Sequence, residues 1–247
     1  MTVKLNYKEL VRYLVKDETQ RESLEVLSKK RELPQKVLLK RGIFCVFDTD
    51  ELSFLLEEWN LTFEDAFGKE TDQVRLLNEG FIIPVLDSSY RIMFFVNYNW
   101  ERGSGRKYLN VYPDSLSQSA TNMKMFGAHN LSQAVKEDWI VVVEGIFDCI
   151  RLEHEGIPAV SIMGTKLLEY HKRFLNRFTK VIYISDADFE GYKGWQNVQK
   201  GLDNVIHYPI KGLSKDVDEF ATRDTRGFAE WLDGLKDHMP IKNRESS

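Results

Sequence analysis

Between Ile140 and Phe220 the chain repeatedly sets acids directly after apolar, β-branched runs. IVVVEGIFD (Ile140 to Asp148) and VIYISDADFEG (Val181 to Gly191) each end a buried-strand pattern in carboxylates, and KDVDEF (Lys215 to Phe220) adds a third acidic segment. Ligands of parallel α/β sheets sit just outside the carboxyl ends of the strands. Several acids gathered there repel one another unless a divalent cation neutralises them. The pattern therefore predicts a magnesium-type site.

Each acid has its own chemistry. Glu144 follows three valines, and Gly145 allows a tight passage from strand to helix. At that point Glu144 can accept or donate a proton near a phosphate, while Asp148, one helical turn on, can bind metal or orient Glu144. A helix-capping acid with a solvent-facing neighbour is the competing reading of this pair. Asp186 and Asp188 are separated by one alanine, so an extended backbone points both carboxylates to one side, where one or two metal ions can bridge them to phosphate oxygens. Glu190 reads as a helix-start acid, and Asp216 and Asp218 form the third acidic pair.

Gly164-Thr165-Lys166 follows another short apolar run. Small Gly164 permits close approach, Thr165 can donate a hydrogen bond, and Lys166 can neutralise phosphate. The glycine-rich run of a P-loop is absent. Upstream, Arg102, Arg106, Lys107 and Lys124 can form a positive wall opposite the acids, and Arg106-Lys107-Tyr108-Leu109-Asn110 combines charge, an aromatic face and an amide. Such a set holds phosphate and stacks on a base without reading sequence. His129, His154, His171, His207 and His238 are dispersed and form no nucleophilic or zinc-binding pattern.

The elements that must position these residues alternate from Ile140 onward. The strands are Ile140 to Val143, Ala159 to Ile162, Val181 to Ser185 and Asn204 to Tyr208. Helices lie between them at Phe147 to Glu155, Leu168 to Phe178 and Tyr192 to Leu202, and the whole is a βα repeat. Before it, FIIPVLD, a turn at Ser88-Ser89 and YRIMFFVNYNW read as a hairpin, with a short strand at Tyr108 to Tyr112. Asn6 to Leu27 has helical spacing with Leu10, Leu14, Leu24 and Leu27 as buried positions; Pro34 opens another short helix, and Glu51 to Glu58 a further one. The divisions are 1–79, a helical or mixed basic region; 80–137, an α+β part; 138–222, the βα repeat; and 223–247, a helix and tail.

Composition narrows the class. The chain's 247 residues suffice for one large domain or two modest ones. Lys and Arg number 34 against 38 Asp and Glu, a net charge of -4 that argues against a nucleic-acid coat but not against an enzyme touching nucleic acid locally. Met1 to Arg41 carries eleven Lys/Arg against six Asp/Glu. Its two cysteines, Cys45 and Cys149, make neither a disulfide framework nor a zinc site and fit a reducing, cytoplasmic compartment. No apolar run reaches membrane-spanning length, and the first residues do not read as a signal peptide.

The acidic spacing resembles the Toprim domain of bacterial and phage DnaG-type DNA primases: Glu144-Gly145 with Asp148, Gly164-Thr165, and Asp186-Ala187-Asp188 with Gly191. Upstream, the hairpin, GRKYLN and KMFGAHN resemble the same primases, so the likeness runs from about Gly80 to Phe220. It implies an α/β Toprim fold, Rossmann-like, with a mostly parallel four-stranded sheet and flanking helices, preceded by a mixed α+β primase-type subdomain. It implies a shallow cleft over single-stranded DNA and RNA primer synthesis from ribonucleoside triphosphates with Mg2+ or Mn2+. Glu144, Lys107 and Lys166 would be catalytic, and Glu144, Asp186, Asp188 and Asp216 would surround the metal, supported by Asp148 and Asp218. Arg106, Lys107, Asn110, Lys124, Gly145, Gly164 and Thr165 would line the template and nucleotide side. The alternatives are a metal-dependent Toprim nuclease and a non-catalytic, replication-associated nucleic-acid-binding subunit. Two cysteines are too few for the zinc ribbon of such primases, which implies a compact phage-like core, a subunit whose template recognition comes from another protein such as a replicative helicase or a separate zinc-domain protein, or a relative that no longer synthesises primers. The setting implied is a bacterial or phage-infected cytoplasm.

Overall fold

The computed structural model describes residues 7–45, 57, 80–101, 107–112 and 124–239, which fall in two compact units, one within 1–121 and the other within 122–247. Apart from Glu57, the expected helix Glu51 to Glu58 lies outside the described residues, as do Arg102 and Arg106.

In the first unit, helices α1 (Tyr7–Lys16) and α2 (Glu18–Arg31) replace the single helical run expected from Asn6 to Leu27. Asp17 divides them: its backbone is extended, and its carboxylate accepts the Gln20 N–H at 2.9 Å, which starts a new helix. Leu10, Leu24 and Leu27 are buried as their spacing predicts. Pro34 precedes α3 (Gln35–Lys40), and the chain then enters β1 (Phe44–Cys45). The buried Gln20 amide clamps β1 from the side, donating to the Cys45 carbonyl at 2.8 Å and accepting the Cys45 N–H at 2.9 Å. Strands β2 (Phe81–Leu86), β3 (Ile92–Tyr98) and β4 (Tyr108–Val111) complete an antiparallel sheet in the order β1-β2-β3-β4. Pro84 is tolerated in an inner strand because β1 reaches only Phe81 and Ile82, so the proline lies beyond its end.

The second unit opens with the KMFG segment, where Phe126 and Ser161 exchange backbone hydrogen bonds of 2.9 and 3.0 Å. Helix α4 (Ser132–Glu137) leads into β5 (Trp139–Val143), then α5 (Ile146–His154), β6 (Ala159–Ser161), α6 (Glu169–Leu175), β7 (Lys180–Tyr183), α7 (Phe189–Gly201) and β8 (Val205–His207). The sheet is wholly parallel, in the order β6-β5-β7-β8. Every residue of β5 is buried, as an inner parallel strand covered on both faces requires. Helix α7 begins at Phe189, a turn earlier than the sequence suggests, because Asp188 caps it. Helices α8 (Val217–Arg223) and α9 (Thr225–Asp237) close the unit, and Phe220 packs against Phe228 and Trp231 at ring distances of 5.8 and 5.9 Å.

The order β6-β5-β7-β8 has one functional consequence. The chain leaves β5 for β6 on one side and then crosses to β7 on the other. The carboxyl ends of β5 and β7 are therefore adjacent at the point where the winding reverses, the place at which ligands of such sheets bind.

Candidate active site

Glu144 follows β5 and Asp186 follows β7 at this reversal point. The backbone carbonyl of Glu144 is held by the Ser161 hydroxyl at 2.7 Å and the Gly164 N–H at 3.1 Å. Its carboxylate is buried, and Oε1 accepts the Tyr183 hydroxyl at 2.9 Å. Burial, then repulsion by Asp186, pushes the Glu144 carboxyl up to about 7, against the opposing pull of the tyrosine. A carboxyl that titrates near neutral pH can take up or release a proton there.

Asp186 is half-buried, and burial together with Asp216 raises it to about 6. Asp188 is more exposed; it accepts the Gly191 N–H at 2.8 Å, and this bond above all holds its carboxyl below the ordinary range. Asp216 caps α8 in the same way, accepting the Glu219 N–H at 2.8 Å. Asp148 is buried below this rim. Its Oδ1 accepts the Asp218 N–H at 2.9 Å, and burial, Asp216 and Asp186 raise its carboxyl well above the usual value. Asp218 pairs instead with Arg151 at 2.9 Å, both side chains buried, and so ties α8 to α5.

Three glycines of the site answer different demands. A Cβ on Gly145 would collide with the Asp148 carboxylate, and one on Gly191 with the Asp186 backbone carbonyl, so both leave room for the acids to approach. At Gly164 no protein atom lies within 4 Å of a Cβ, and the backbone φ of +139° favours glycine there. Thr165 is half-buried and Lys166 exposed beside it.

Lys124 belongs to the second unit, where the buried His171 holds its carbonyl through Nε2 at 2.5 Å. The Leu168 N–H donates to His171 Nδ1 at 3.2 Å, so the proton is on Nε2 and the imidazole is neutral. Lys107 and Asn110 are exposed residues of the first unit, with Asn110 on β4 beside Tyr108, whose ring lies 4.9 Å from that of Tyr98.

The sequence reading passed over Lys215, Tyr183 and Gly194. Lys215 Nζ stands 3.2 Å from Asp188 and 3.9 Å from Asp186. A Cβ on Gly194 would lie 2.8 Å from the Tyr183 hydroxyl and 3.1 Å from Glu144 Oε1, so this glycine admits α7 over the Tyr183–Glu144 pair. A second glycine three residues after Gly191, inside a helix where glycine is unfavourable, was the available signal. The tyrosine and lysine carried none, because both types are common in strands and loops.

Among the described residues no three His, Cys, Asp or Glu side chains converge tightly enough to hold an ion by themselves. Asp188 and Asp216 each commit one oxygen to a helix cap, and Glu144 one to Tyr183. The donor set still fits a hard divalent cation. Its acids raise one another's proton affinity, and a lysine ammonium already stands between Asp186 and Asp188. Magnesium in such sites takes one or two carboxylates and completes its shell with water and substrate phosphates.

Comparison with known proteins places this geometry. Residues 141–221 match the family described as Toprim-like. The DNA primase of Aquifex aeolicus is 31% identical over 155 residues, which cover 59% of this chain and 31% of that protein. The first relatives matched are spanned over 31%, 22% and 24% of their length, so the chain corresponds to less than a third of each. The crystal structure of the Aquifex aeolicus primase zinc-binding and RNA polymerase domains superposes with a TM-score of 0.73 at 24% identity, covering 96% of this chain and 61% of that one. A DnaG primase catalytic domain bound to single-stranded DNA gives 0.65 at 19% identity, with coverages of 95% and 83%. At these identities the structural likeness is one of fold: α/β, with a parallel Toprim sheet after an antiparallel one, as expected.

Proposed function

We propose that this chain, whose residues 141–221 are a Toprim-like domain of the DnaG primase type, is a primer-synthesising core that joins ribonucleoside triphosphates on a single-stranded DNA template. The observation that carries this reading is the acidic array at the reversal point of the parallel sheet, with a buried Glu144, its carboxyl pushed up to about 7, beside Asp186 and Asp188. In the reaction, the terminal 3'-hydroxyl oxygen of the growing RNA bonds to the α-phosphorus of the incoming triphosphate. The bond from that phosphorus to the leaving pyrophosphate breaks, and the hydroxyl proton passes to Glu144.

Asp186 and Asp188 would hold a divalent ion, with Asp216 and Glu144 beside them. When bound, Mg2+ or Mn2+ supplies charge neutralisation at the phosphoryl group and lowers the proton affinity of the attacking hydroxyl. Tyr183 orients Glu144, and Asp148 and Asp218 brace the loops beneath. Lys124, Lys166 and the Gly164-Thr165 backbone bind the triphosphate; Arg106, Lys107 and Asn110 bind template and nucleotide. Template delivery by a replicative helicase or a separate zinc-domain protein, in a bacterial or phage-infected cytoplasm, belongs to the same proposal. Among the described residues no helix is long and apolar enough to cross a membrane.

The test is incubation with single-stranded DNA, labelled ribonucleotides and Mg2+ or Mn2+, alone and with helicase and zinc-domain partners. Short RNA should form and fall at least about 100-fold in Glu144→Ala and Asp186→Ala, the scale of losing a positioned acid or base. DNA shortened without any RNA made would replace polymerisation by hydrolysis. No product under any condition would reject the proposal.

A further inference from the structure

The acids that would hold the ion are not left uncompensated in this chain. Lys215 Nζ lies 3.2 Å from Asp188 and 3.9 Å from Asp186. The position of this lysine is set by more than its flexible stem. Its carbonyl accepts the Ala187 N–H at 2.6 Å, and its own N–H donates to the Glu219 carboxylate at 2.5 Å. One backbone bond therefore joins Lys215 to the residue between the two aspartates, and the other to the first turn of α8.

We propose that Lys215 is a resident counter-ion: its ammonium occupies the Asp186–Asp188 edge of the site and must be displaced by the divalent cation. This rests on the metal site proposed above and assigns a role to a residue outside the acidic signature. An ammonium is a compact charge on a flexible four-carbon stem, so it can leave the carboxylates while the backbone stays anchored. A guanidinium on the same stem would keep the charge. The lysine would thereby set how much free Mg2+ the site needs, and would keep the two aspartates together when no ion is bound.

The experiment is a titration of the full chain with Mn2+ alone, free ion being read by electron paramagnetic resonance, without nucleotide or DNA. Removing a competing charge while keeping the side-chain length, as in Lys215→Met, should tighten Mn2+ binding roughly three- to fivefold, the scale of a partly exposed ion pair. Lys215→Arg should stay within about twofold of the parent protein on the same scale, and Asp186→Asn should lose the site. Equal or weaker binding by Lys215→Met, with binding still lost in Asp186→Asn, would overturn the counter-ion role and leave the metal site standing. Binding indifferent to Asp186→Asn would overturn both. The readout does not involve primer synthesis, so a failure of that activity cannot be mistaken for a failure of this proposal.

Discussion

In the proposed reaction the chemistry would turn on one carboxyl, Glu144, and on what Tyr183 does to it. Burial and the neighbouring Asp186 favour the protonated form, while the tyrosine hydroxyl favours the carboxylate; the balance lies at about 7. Tyr183→Phe removes only the second influence. Activity that requires the carboxylate should then rise with pH along a limb displaced upward by roughly one unit, since a hydrogen bond to a charged group is worth ~1.5 kcal/mol. The pH–rate profile checks this. A limb unchanged in the variant would mean that Glu144 does not govern the rate. Because the phenylalanine fills nearly the same space, the comparison separates the hydrogen bond from the packing.

At the scale of elements, two contacts decide whether the acids meet. The first is the fit of α7 over β7, for which Gly191 and Gly194 leave room. Gly194→Ala should strengthen the isolated helix by about 1 kcal/mol. In the folded chain, however, its methyl group would press on the Tyr183 hydroxyl and Glu144 Oε1 at 2.8 and 3.1 Å. The expected result is a folded protein with turnover reduced at least about tenfold, a displacement of the acid rather than its loss being sufficient. Unaltered turnover would show that α7 yields freely. The second contact is the buried Arg151–Asp218 pair. Arg151→Met leaves Asp218 buried without its cation and should cost about 3–5 kcal/mol in denaturant unfolding, whereas the double change to Arg151→Met with Asp218→Leu should recover much of it. A single variant as stable as the parent would mean that water reaches the pair.

For the whole molecule, the same acids are a source of instability when no cation is bound. Glu144 and Asp186 move up on folding, from 4.5 to about 7 and from 3.8 to about 6. The folded state therefore binds more protons than the unfolded one between about pH 4 and 7, and unfolding free energy falls as pH rises through that window. Their contribution is fully present below the unfolded values and lost above the folded ones. Thermal unfolding in chelator should accordingly show a lower midpoint at pH 7.5 than at pH 5.5, a difference that Mg2+ narrows and Asp186→Asn abolishes in part. Asp188, whose carboxyl is held low, works in the opposite sense and moderates the effect. A midpoint indifferent to both chelator and pH would show that the array carries no net repulsion.

Much of this was legible in the sequence because strands and short acidic motifs are local. Buried runs such as Ile140 to Val143 announce an inner strand by their apolarity, and Asp186-Ala187-Asp188 shares one side by the two-residue period alone. Gly191 could be marked as necessary, but not for its reason, which is the Asp186 carbonyl packed against it. Capping was harder to read: Asp17 looks like an ordinary polar residue and Asp188 like a metal ligand alone until the backbone turns to meet them. Contacts between distant segments had no signal at all. Tyr183 lies 39 positions from the glutamate it orients, Asp218 lies 67 from its arginine, and Lys215 comes from a loop after the fourth parallel strand. The sequence by itself determined which acids follow which strands. Only the tertiary structure decided which of them touch, which are committed to helix caps, and which lysine stands among them, because burial and electrostatic coupling arise when segments far apart in the chain are packed side by side.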